Sequence, residues 1–165
     1  MILESATQNW FWLSFQVLDA RANRLTRVPK GFLEQVAPAL RRLDLSQNRI
    51  TDISNTDLRT LSNLQELRLS DNNIIDLQKG SMRHLTGLQI LDLSKNRIEV
   101  LQFGQFAGLT GLRIVNLAHN RYGLSNKRLD LSAKFNKCKA KKSPNLISAM
   151  HYQRKIYIEI QHTLQ

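Results

Sequence analysis

The sequence predicts an α/β right-handed solenoid of about five coils. A parallel sheet lines its concave side, and loops or short 3₁₀ turns form its convex side. Two observations carry this reading. The stretch from Leu64 to Asn96 copies itself: Leu64, Leu67, Leu69 and Asn72 recur 24 positions later as Leu88, Leu91, Leu93 and Asn96, in the pattern LxxLxLxxN. The match also runs through the rest of the unit, where Ile74 aligns with Ile98, Leu77 with Leu101, Met82 with Phe106 and Leu85 with Leu109. A fixed period of this size marks units that bury their apolar faces only against neighbouring copies, so they stack.

The repeats start at residues 15, 40, 64, 88 and 112 and fill residues 15–122. Residues 1–14 are a lead, and Trp10, Phe11 and Trp12 are candidates to lie over the open end of the first coil, which a solenoid must cover. Repeat one reads Phe15, Leu18, Ala20, Asn23, Leu25, Val28, Leu33, Val36. Ala20 thins this layer. Pro29 fixes φ and has no N–H to give a ladder, which suits a convex-side loop. The unit is one residue longer than its neighbours, and the extra residue falls near Ala37–Pro38–Ala39. Repeat two is Leu40, Leu43, Leu45, Asn48, Ile50, Ile53, Leu58, Leu61; repeats three and four start at Leu64 and Leu88. Repeat five reads Leu112, Val115, Leu117, Asn120, Tyr122, after which the register fails.

Each column has a physical reason. In a strand, side chains alternate between faces, so the fourth and sixth positions point inward and the residues between them point out. Parallel strands then fuse their apolar sides into one core. Asn23, Asn48, Asn72, Asn96 and Asn120 stand where the chain turns inward. An amide carries donors and an acceptor, so this column forms a structural ladder serving the backbone of its own and adjacent coils. An apolar residue there would orphan buried backbone groups at about 1–3 kcal/mol each.

Residues 123–165 differ. Lys127 to Asn145 holds seven Lys/Arg against one Asp and ends in the turn signal Ser143-Pro144-Asn145. Ile156, Ile158 and Ile160 alternate with polar or aromatic residues, a strand pattern with no evident partner. The segment is a C-terminal cap, a linker with a disordered basic tail, or sequence foreign to the repeat protein, and the abrupt loss of register favours the last two.

Composition narrows the function classes. The net charge is +11, but residues 1–126 contribute +4 and residues 127–165 contribute +7. Any pull on polyanions or anionic membrane therefore comes mainly from the tail. That tail lacks interleaved aromatics of the kind that stack bases, so no specific nucleic-acid binding is expected. No apolar run of about 18 residues exists, and the cluster Trp10–Phe15 is too short to span a bilayer and poorly flanked for a secretory signal. Cys138 is the sole cysteine, so no intrachain disulfide is expected, and no Asn-x-Ser/Thr sequon occurs.

LRRLDLSQNRITDI, LQELRLSDNNIIDL and LQILDLSKNRIEVL resemble the "typical" 24-residue class of leucine-rich repeats, LxxLxLxxNxLxxLxxxxFxxLxx. The resemblance covers about two thirds of the chain. Such repeats look like those of Toll-type receptors, Slit-like guidance proteins, small leucine-rich proteoglycans and other cell-surface adhesion proteins. The resemblance implies an extracellular setting and non-enzymatic binding of protein or glycan ligands on the concave sheet and its flanks. Members usually carry a signal peptide and disulfide-bonded caps, which this chain lacks. It is thus expected to be a fragment of a longer cell-surface or secreted protein or, alternatively, a cytoplasmic scaffold or regulatory subunit.

The outward strand positions define the candidate ligand-binding surface: Arg42, Asp44, Glu66, Arg68, Ile90, Asp92, Ile114 and Asn116. Third, fifth and seventh positions of each repeat are expected to face out, including Val17, Asp19 and Arg21 in repeat one and Ser46, Ser70, Ser94 and Ala118 in the others. Strands lie about 4.8 Å apart, so Arg68 should stand between Asp44 and Asp92 in a salt-bridge ladder worth about 0–1 kcal/mol per pair. Ile90 and Ile114 form an exposed apolar pair beside it. A second column, Arg24, Arg49, Asn73, Arg97 and Arg121, puts four arginines along one edge. Guanidinium pairs bidentately with anions, so this edge and the basic tail are candidates for an acidic glycan.

Catalysis finds no motif. His84, His119, His151 and His162 are scattered, and HExxH, CxxC, GxSxG and a phosphate-binding glycine loop are absent. Cys138 lies among Lys137, Lys139, Lys141 and Lys142, which favours its thiolate, but no partner base accompanies it. No metal or other cofactor is expected.

Overall fold

The computed structural model describes residues 15–101 and 105–121, and the backbone of one further strand, Tyr157–Glu159. The aromatic lead, Tyr122, the basic stretch 127–145 with Cys138, and His151 and His162 lie outside the described residues.

Each repeat contributes one three-residue strand at the third to fifth positions: β1 (Val17–Asp19), β2 (Arg42–Asp44), β4 (Glu66–Arg68), β6 (Ile90–Asp92) and β7 (Ile114–Asn116). All neighbours pair in parallel, and the central residues align as Leu18, Leu43, Leu67, Leu91 and Val115. Five repeat strands enclose four full turns, a solenoid with little helix. The strands are short because the chain must bend away at the asparagine. The backbone there needs a left-handed residue in every coil: Ala22, Gln47, Asp71, Lys95 and His119 have φ between 52° and 56°. Such a conformation costs an L-residue about 1–2 kcal/mol.

The asparagines offset that cost. Asn72 Oδ1 accepts from the Ile50 N–H of the preceding coil at 3.0 Å, and its Nδ2 donates to the carbonyl oxygens of Leu45 (2.9 Å) and Leu69 (3.2 Å). Asn48, Asn96 and Asn120 repeat the arrangement with Leu25, Ile74 and Ile98. Asn23 heads the column and has no coil before it among the described residues, so it serves only Ala20 and Arg21 of its own turn.

The core is a stack of leucines with isoleucine, valine, Met82 and Phe106, from Val28 to Leu117, nearly all fully buried. Each such side chain gains about 1.5–3 kcal/mol from burial. Phe15, Leu18, Ala20 and Leu25 of the first coil are only partly covered.

The convex side departs from the expectation of loops in two places. In repeat one, helix α1 (Lys30–Val36) follows Pro29, whose carbonyl accepts from Phe32 and Leu33. Leu33 and Val36, three apart, bury one face, so an amphipathic turn of helix wins over a loop. In repeats two and three, β3 (Asp52–Ile53) and β5 (Asp76–Leu77) pair in a second parallel sheet. The other convex segments are turns.

Within the alternating stretch near the C-terminus, three residues acquire a partner. Tyr157–Glu159 forms β8, parallel to β7, with Ile114 opposite Tyr157, Val115 opposite Ile158 and Asn116 opposite Glu159. The edge of β7 offered unpaired N–H and C=O groups that a sequence-local reading could not match to a distant strand.

Candidate recognition surface

The concave face is built from the strand residues that flank the buried central leucine. At the third position, register brings Val17, Arg42, Glu66, Ile90 and Ile114 side by side. At the fifth, it brings Asp19, Asp44, Arg68, Asp92 and Asn116 into line. Val17 and Ile114 are exposed and Ile90 is half-buried. The eight residues singled out in sequence thus share one face, which register alone ensures.

Beyond the first coil, where Arg21 is exposed, the seventh positions do not share it. Ser46, Ser94 and Ala118 are buried and Ser70 is half-buried. The strand ends at the fifth position, so the period-two alternation stops there and the next residues turn inward with the asparagine. Ser70 Oγ donates to Ser46 Oγ at 3.0 Å across coils.

The ion pairs also run differently from a ladder along the fifth column. Arg68 Nε lies 2.6 Å from Glu66 Oε1 on its own strand, although Asp44 and Asp92 flank it in register. Glu66 Oε2 is also 3.6 Å from Arg42 Nε. The fifth-column aspartates have another task. Oδ1 of Asp44 accepts from the Ser46 N–H at 2.9 Å, and Oδ1 of Asp92 accepts from Ser94 N–H at 2.9 Å and Ser94 Oγ at 2.7 Å. Asn116 does the same for Ala118 at 3.0 Å. A short Asx side chain reaches the backbone two residues on, which competes with a cross-strand ion pair. Arg68 is the residue at which this column breaks.

A shallow cavity of about 200 Å³ lies on the first three coils, lined by Val17, Asp19, Arg21, Arg42, Asp44, Glu66 and Arg68 together with Leu18 and Leu43. Arg21, the seventh position of repeat one, is exposed as the alternation expects. Its Nη2 lies 2.8 Å from Asp19 Oδ2, its Nε lies 3.0 Å from Asp19 Oδ1, and Asp44 is 3.6 Å away. The side-chain hydrogen bonds from Arg21, then its backbone N–H, hold the Asp19 carboxyl below its usual pKa, and the same contact raises that of Arg21. The i, i+2 spacing of Asp19 and Arg21 on the outward face permits this pairing. The cavity holds three carboxylates and three guanidiniums, mutually paired, next to the apolar Ile90 and Ile114 in the following coils.

The arginine edge lies beside this face. Arg24, Arg49, Arg97 and Arg121 are exposed, with Asn73 half-buried between them. Their coils are locked together, since Arg49, Asn73, Arg97 and Arg121 donate backbone N–H groups to Leu25, Ile50, Ile74 and Ile98. Among the described residues, no group of three His, Cys, Asp or Glu is arranged to hold a metal ion, and no helix is long and apolar enough to cross a membrane. His84 Nε2 accepts from Arg83 Nε at 2.9 Å on the convex side, far from His119.

A parallel sheet of one strand per 24-residue coil, an asparagine ladder and a leucine core define a leucine-rich repeat domain. The leucine rich repeat family model matches residues 14–74 and 62–121, more than half of the chain, and the chain belongs to that family. Among solved structures, the crystal structure of a TLR13–ssRNA13 complex is similar, with a TM-score of 0.61 and 31% identity over 65% of this chain. That match takes up 15% of the Toll-like receptor chain, so the present sequence spans a small part of its length. No curated protein matches the chain.

Proposed function

We propose that the chain is a non-enzymatic recognition segment of a cell-surface or secreted leucine-rich repeat protein, and that it binds a protein ligand on the concave sheet. The observation that carries this is the composition of the concave face. Its coils one to three present an internally neutralised set of carboxylates and guanidiniums, and its coils four and five present Ile90 and Ile114 in direct register. A polar zone beside an apolar spot is the usual make-up of a protein-binding patch. The family membership and the likeness to the TLR13–ssRNA13 structure support a ligand-recognition role, and the choice of a protein ligand rests on the composition of the face.

The test uses whatever protein the wild-type chain retains from its native source. Arg68→Glu and Ile90→Asp should each weaken that partner by about tenfold or more, as truncation of central interface residues does. Lys79→Glu, exposed on the convex side, is the matched charge reversal and should leave affinity unchanged. If the convex variant weakens binding and the two concave variants do not, the concave sheet is not the binding face.

A further inference from the structure

The concave charges are engaged with one another, whereas those of the lateral edge are not. Arg21, Arg42 and Arg68 all pair with Asp19, Asp44 or Glu66. Arg24, Arg49, Arg97 and Arg121 form no side-chain hydrogen bond or ion pair among the described residues. Asp52, Asp76 and Glu99 lie two or three positions further along their coils, yet none of them forms an ion pair with these arginines. At the fourth coil the exposed Lys95 stands immediately before the asparagine, so cations flank Asn96 on both sides, whereas the same position of coil three is Asp71.

We propose that this edge binds a linear sulfated glycan. Coils spaced about 4.8 Å apart set Arg24 and Arg121 about 19 Å from each other, a cationic row interrupted at Asn73 and carried on a packed backbone. Fixing the row in advance removes part of the ordering cost of binding an extended polyanion. Guanidinium matches sulfate and carboxylate oxygens in a bidentate geometry. A nucleic acid is less well served, because among the described residues the exposed large apolar ones following the row positions, Ile75 and Val100, offer no aromatic face for base stacking. This binding is independent of a protein ligand on the concave sheet.

The experiment titrates the full chain with a size-defined heparin oligosaccharide, with its desulfated form and with a single-stranded RNA of equal charge. Heparin should bind, and its affinity should fall steeply as salt rises. Arg24→Glu, Arg49→Glu, Arg97→Glu and Arg121→Glu combined should lower affinity by at least about tenfold. Lys79→Glu, a charge reversal on the convex side, should not change it. Replacing Lys137, Lys139, Lys141 and Lys142 by Gln measures the tail's share, and most of the affinity should survive. If the fourfold variant does not fold, the milder pair Arg97→Gln with Arg121→Gln should still show a several-fold loss. The proposal is overturned if heparin does not bind, if the edge variants bind like wild type, if only the tail variant loses binding, or if desulfated heparin or the RNA binds as tightly.

Discussion

Arg68 Nε sits 2.6 Å from Glu66 Oε1, two residues back on the same strand, and leaves the aspartates on either side of it to cap their own turns. Glu66 thereby bridges Arg42 and Arg68 at the centre of the concave face. The Arg68 side chain is 51% exposed, so water screens the pair and its worth to folding is small. Arg68→Ala should lower stability by less than about 1 kcal/mol in denaturant melts. A loss of several kcal/mol would make the pair structural and weaken its assignment to ligand contact.

The core responds differently. Leu91 is fully buried at the middle of β6, between Leu67 and Val115 in register. Leu91→Asp places a charge where no partner exists and should cost more than about 4 kcal/mol, enough to unfold the repeat body. Far-UV circular dichroism of the variant reads this directly.

The asparagine ladder predicts a contrast between its middle and its head. Asn72→Ala orphans the Ile50 N–H and removes one of the two amide donors to the Leu45 carbonyl oxygen, leaving Asn48 Nδ2, at a cost of about 1–3 kcal/mol. Asn23→Ala removes only exposed bonds within one turn and should cost less than about 1 kcal/mol. Equal losses at the two positions would show that the ladder does not act between coils.

Gly108 is a further sensitive point. Its φ is +95°, and a Cβ there would stand 2.6 Å from the Arg83 carbonyl oxygen of the preceding coil. Gly108→Ala should therefore destabilise by about 1–3 kcal/mol, through strain and coil separation together. Thermal melts that match wild type would contradict the close packing of these convex turns.

Much of this arrangement is legible in sequence because stacking turns a linear period into spatial columns. Leu64 and Leu88 predict their own burial, and Arg42, Glu66, Ile90 and Ile114 predict their own adjacency, since both follow from the repeat register. What the period cannot show is where a strand stops. Ser46 and Ser94 obey the outward alternation in sequence yet are buried, because the left-handed residues Gln47 and Lys95 follow them and turn the chain. Nor can it choose among partners for a long side chain. Arg68 has three carboxylates within reach by register, and the backbone demands of Ser46 and Ser94 decide which of them is free. The pairing of Tyr157–Glu159 with β7 is long-range and carries no local signal at all.

The concave-face account is tested most directly by site-specific photo-crosslinking. A photoreactive residue replaces Ile90 in one sample and Lys79 in another, and each is irradiated with the retained partner protein and analysed by mass spectrometry. The account predicts a discrete covalent adduct from position 90 and none from position 79. An adduct from position 79 with none from position 90 would contradict it and move the ligand to the convex side.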